Sequence, residues 1–134
     1  MKQCLDIEQM QHLQELGLDT RNASMCWIKD TEGNQHLSVH DEYCYEASFM
    51  HPIPAYTLQD VLDALPKDIS KDGCTWYASL YIDFENNRIA YGNTNRYGFE
   101  IYHEIMIEKY LIDAVYSMLC WCIEQDYVET NKNE

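Results

Sequence analysis

Residues Cys74 to Phe84 alternate apolar and polar without a break over eleven positions. Cys74, Trp76, Ala78, Leu80, Ile82 and Phe84 interleave with Thr75, Tyr77, Ser79, Tyr81 and Asp83. Successive side chains of a strand point to opposite faces, so this segment predicts a strand with one buried face and one wetter face. Asn86-Asn87 follows it and can form a two-residue hairpin turn, because Asn tolerates positive φ. That turn sets Glu85 opposite Arg88, Phe84 opposite Ile89 and Ile82 opposite Tyr91, and the apolar face then runs on across the hairpin. A third strand is expected over about Tyr97 to Met106, with Phe99, Ile101, His103 and Ile105 on the core side.

Helical patterns flank these strands. Asp6 can cap a first helix that carries Ile7, Met10, Leu13 and Leu16 on one side, and Gly17 is placed to stop it. Met25 to Lys29 and Gln35 to His40 read as two strands joined by the turn formers Asp30 to Asn34, and Tyr43 to Tyr45 as either a continuation of the second or a separate short strand. His51-Pro52-Ile53-Pro54 reads as a rigid extended connection. Thr57 with Asp60 has the spacing of a capping box before Leu58, Val61, Leu62 and Leu65, and Pro66 ends that helix. From about Lys109 to Gln125 a last helix gathers Leu111, Ile112, Val115, Met118, Leu119, Cys122 and Ile123 on one stripe. Hairpins in place of βαβ units predict an α+β fold: one antiparallel sheet of about five strands, with three helices mainly on one face. Residues 1–128 are expected to form a single domain, with 129–134 as a short flexible tail.

Charge narrows the function. Nine basic against 23 acidic residues give −14, spread as −8 over residues 1–70 and −6 over 71–134. A surface negative throughout disfavours direct binding to nucleic acid or to an anionic membrane, and leaves a basic protein as the electrostatically allowed partner. Nothing resembles a transmembrane span, and Asp6 and Glu8 interrupt any apolar leader, so the expectation is a cytoplasmic protein. Cys4, Cys26, Cys44, Cys74, Cys120 and Cys122 are accordingly read as reduced.

The motifs of chemistry are sparse. No phosphate-binding glycine motif occurs. Cys120 and Cys122 diverge on a helix, where residues two apart point about 200° apart, so no metal or cofactor is expected there; Cys122 joins the core stripe and Cys120 is the thiol more open to reaction. His36 and His40 lie too far apart along a strand to share one metal. His40-Asp41-Glu42 sets a possible base beside two carboxylates, with no nucleophile evidently placed. The distinctive feature is tyrosine, 11 of 134 residues. On the outer face of the predicted sheet, Tyr77, Tyr81 and Tyr102 fall among Asp83, Glu100 and Glu104, a mixture of rigid aromatics and acids that suits recognition of a basic partner.

Three stretches taken together carry a resemblance: Met1-Lys2-Gln3-Cys4-Leu5-Asp6-Ile7-Glu8-Gln9-Met10 and its continuation to Trp27, Pro52-Ile53-Pro54-Ala55-Tyr56-Thr57-Leu58-Gln59-Asp60, and Leu111-Ile112-Asp113-Ala114 through Cys120-Trp121-Cys122-Ile123-Glu124. They resemble a group of short uncharacterised proteins from gut anaerobic bacteria, often associated with prophage-like or other mobile elements. The resemblance covers about half the chain and carries no catalytic residue. It implies a small cytoplasmic accessory protein. The leading expectation is therefore a non-enzymatic protein acting through protein–protein binding. The alternatives are a small hydrolase-like enzyme with a site near His40, Asp41 and Glu42, and a structural protein that self-associates through its open sheet face.

Overall fold

The computed structural model describes residues 2–29, 32–39, 52–70, 77–94 and 100–131, with the backbone alone at 94, 100 and 101. Within them the chain runs α1 (Ile7–Glu15), β1 (Met25–Lys29), β2 (Gln35–Val39), β3 (Ile53–Ala55), α2 (Leu58–Ala64), β4 (Asp68–Ile69), β5 (Ala78–Asp83), β6 (Arg88–Thr94), β7 (Glu100–Ile107) and α3 (Leu111–Glu124). The class is α+β, but the strands form two antiparallel sheets and not one of about five strands. The first has the order β2-β1-β3 and the second β4-β5-β6-β7. The expected Pro-rich connection supplies the difference. Ile53–Ala55 pairs with β1 and places Pro54 opposite Cys26, at a sheet edge where a missing N–H is tolerated.

The helix signals act as their chemistry predicts. Asp6 accepts the Gln9 amide, and the Gln9 side chain returns the bond to the Asp6 N–H. Gly17 follows at φ 96°, the left-handed position that ends a helix most cheaply in glycine. Thr57 and Asp60 make the second capping box. Asp60 also takes the N–H and the hydroxyl of Ser24, at 2.9 and 2.6 Å, so one carboxylate ties the start of α2 to the start of β1.

One core spans both sheets. Leu5, Met10, Leu13 and Tyr56 from the first half join Ile89, Tyr91, Val115, Met118, Leu119 and Cys122 from the second, all essentially solvent-free. The α3 stripe is buried as expected, with Leu111 at its edge. Tyr91 spans the layer, and its hydroxyl donates to the Pro66 carbonyl at 2.6 Å. Among the described residues, Cys4, Cys26, Cys120 and Cys122 form no disulfide. Among the described residues no helix is long and apolar enough to cross a membrane.

Two register expectations are corrected. The β5–β6 hairpin pairs Asp83 with Arg88 and Ile82 with Ile89, so four residues turn where two were expected. Asp83 accounts for it: its carboxylate accepts the Asn86 N–H at 3.2 Å and the Asn86 side chain at 2.8 Å, and Asn87 takes φ 50°. The slip is two residues, so every side chain keeps its face. The second correction is in β7. Tyr102 opposes Gly92 but Glu104 opposes Tyr91, which leaves His103 as an extra residue in a bulge. Beyond it the faces exchange. Met106 packs on the core, whereas His103 and Ile105 are exposed and not on the core side. Phe99, and the expected extension at Tyr43 to Tyr45, lie outside the described residues, as does 132–134 of the expected tail. Within the described part of that tail, Asn131 donates its N–H to the Gly17 carbonyl at 2.8 Å.

Candidate functional site

The outer face of the second sheet follows from the same alternation that builds its core. Tyr77, Ser79, Tyr81 and Asp83 point away from Ala78, Leu80 and Ile82. Through the β6 register, Tyr81 neighbours Ala90, which neighbours Ile105, while Ser79 neighbours Gly92, which neighbours Tyr102. The middle strand thus offers only Ala90 and Gly92 on this side, between larger residues on both flanks. Ala90 is 3% exposed although its register sets it on the outer side with Tyr81 and Ile105. The result is a trough floored by small residues and walled by Tyr81 on one side and by Tyr102 and Ile105 on the other. Tyr77 is 63% exposed, Tyr81 47% and Ile107 64%. Among the described residues, four of the seven large exposed apolar or aromatic side chains belong to this face.

Charge stands at the margins of the trough: on the β4 flank the Asp68 carboxylate accepts the Ser79 hydroxyl at 2.7 Å. Arg88 approaches Asp83 at 3.8 Å, and its guanidinium stands 5.8 Å from the Tyr102 ring centroid. The Asn86 side-chain bond, with help from Arg88, holds the Asp83 carboxyl below its usual range.

The three sequence-selected tyrosines Tyr77, Tyr81 and Tyr102 therefore share one face. Glu104 does not join them. The bulge turns it to the side of Tyr91, where its carboxylate accepts the Ile105 N–H at 3.1 Å. Glu100 pairs with Thr94 through the backbone, two positions from Tyr102. Sequence reasoning missed Ile105, Ile107 and Arg88 as members of this surface. The two isoleucines were hidden by the bulge, while Arg88 was legible only as to its face, since the expected register set it opposite Glu85 and the observed one sets it opposite Asp83.

The other candidates resolve simply. His40, Asp41 and Glu42 lie outside the described residues. His103 is exposed on the bulge. Burial pushes the Cys120 thiol up to about 11 and the Cys122 thiol up to about 12, so neither is an activated nucleophile. Among the described residues no three His, Cys, Asp or Glu side chains converge as metal ligands.

A separate cavity of about 560 Å³ opens where Lys2 and Gln3, the start of α2, the β5–β6 turn and residues 109–112 meet. Asn87 shapes it: its amide donates to the Lys109 carbonyl at 2.8 Å, and the Glu108 N–H donates back to the Asn87 carbonyl at 3.3 Å. Compared with known proteins, the chain matches no family model, no curated protein and no solved structure.

Proposed function

We propose that this chain is a small acidic cytoplasmic accessory protein with no catalytic activity of its own, which binds a basic protein on the trough of its second sheet. The observation that carries this reading is the row of Tyr81, Ala90 and Ile105, with Tyr102 beside it: exposed tyrosine and isoleucine side chains flanking a small residue on one sheet face. Rigid aromatic side chains lose little entropy on docking and are enriched in interface cores. Arg88 over the Tyr102 ring supports the choice of partner, since a partner's arginine would make the same contact on Tyr77 or Tyr81. The net charge of −14 would steer such a partner inward and repel nucleic acid. The resemblance to short proteins of mobile elements points the same way.

The test compares the wild type with a Tyr81→Ala/Ile105→Asp double variant as bait in bacterial lysate, at low and moderate salt, read by mass spectrometry. The expected result is a basic protein held by the wild type, released as salt rises, and absent from a variant with an unchanged circular dichroism spectrum. Equal retention by the variant, or an empty bait, would overturn the proposal.

A second reading, self-association, has one observation in its favour: β7 ends the strand order of its sheet, and Ile105 and Ile107 lie along it. Light scattering across concentration decides it. A dimer abolished by the double variant would replace the basic partner with a second copy of this chain.

A further inference from the structure

The cavity beside the β5–β6 turn differs from the rest of the molecule in the sign of its charge. In a chain with 23 acidic and nine basic residues, none of its eleven lining residues is acidic and two, Lys2 and Lys109, are basic. Its walls are apolar: Leu58, Phe84, Tyr110, Leu111 and Ile112. The two ammonium groups are not equivalent. Lys2 is engaged, at 2.7 Å from Asp113 and 2.9 Å from the Gln9 amide oxygen. Lys109 stands 5.4 Å from the Tyr110 ring centroid, and no carboxylate lies within ion-pairing distance of it among the described residues.

We infer that this cavity binds a small carboxylate with an apolar body, its tail or ring against Phe84, Leu58 and Leu111 and its carboxylate on Lys109. The volume falls in the range of small-molecule sites. An apolar wall with one unneutralised cation selects an amphipathic anion over a neutral or cationic ligand of the same shape, because only the anion offsets the charge. Phe84 is 66% exposed, a large apolar ring held at the mouth by the Asn86–Asn87 turn. The cavity is independent of the trough: Phe84 lies in the turn beyond β5, and none of Tyr81, Ala90, Tyr102 and Ile105 lines the cavity.

Calorimetric titration with decanoate tests this, with decyltrimethylammonium as the cation of equal chain length. The expected result is saturable one-to-one binding of decanoate, weakened about tenfold by Lys109→Gln and by Phe84→Ala, with no binding of the cation at the same concentrations. Both substituted side chains are exposed, so both variants keep the fold, and Tyr81→Ala leaves decanoate binding unchanged. Absence of saturable binding, equal binding of the cation, or binding untouched by both cavity substitutions would overturn the assignment.

Discussion

Cys120 and Cys122 show how position decides what a side chain can do. Both sit on α3, Cys122 beneath Tyr91 and Cys120 beside Tyr116. Burial raises both thiols, and the neighbouring tyrosine hydroxyls only partly offset it. In an unfolded chain a cysteine titrates near about 8.5. The folded values lie above that, so these groups contribute stability that is whole below the unfolded value and is lost as pH rises toward the folded ones. Tyr56, pushed up to about 12 by burial and then by Asp60 and Asp19, acts in the same direction. Iodoacetamide at neutral pH should therefore leave Cys4, Cys26, Cys120 and Cys122 unmodified by peptide mapping. As pH is raised, labelling should appear together with loss of the circular dichroism signal. Early labelling of Cys120 alone would show it to be a reactive thiol.

At the scale of an element, the β7 bulge is the decisive feature. It puts Met106 on the core and His103 in solvent. Met106→Asp should cost about 2–4 kcal/mol, as for a buried unpaired charge, and His103→Asp under about 1 kcal/mol. Urea unfolding measures both, and the reverse ranking would restore the unbulged register. The bulge was not legible in the sequence. Ile101, His103, Ile105 and Ile107 alternate with Tyr102, Glu104, Met106 and Glu108, and that pattern alone assigns the isoleucines to the core. The structure overrules it by inserting His103 as an extra residue, after which Glu104 opposes the buried Tyr91 and Met106 turns to the core. The hairpin was legible as to face but not as to turn length, because the Asp83–Asn86 bond that lengthens the turn is a side-chain effect. The capping boxes and the α3 stripe were legible because each is local. The split into two sheets was not, since it depends on β3, three residues long, and β4, two residues long, choosing different neighbours.

For the molecule as a whole, the excess of acid is set against few ion pairs. Among the described residues, Lys2 with Asp113, Arg21 with Asp19 and Arg88 with Asp83 engage three of the six lysine and arginine side chains with acids. Self-repulsion of −14 should then exceed the attraction these pairs supply, and salt screens both. Raising sodium chloride from about 0.02 to 0.3 M should raise the Tm by about 2–5 °C in a thermal scan. A fall would mean that the pairs outweigh the repulsion. The single core has a consequence of a different kind. With Leu5, Met10 and Tyr56 interlocked with Ile89 and Val115 in one solvent-free cluster, no slip plane separates the two sheets. Whatever meets the trough meets a stiff wall and not a closing jaw. Changes in its grip would then register in how long the visitor stays rather than in how fast it arrives.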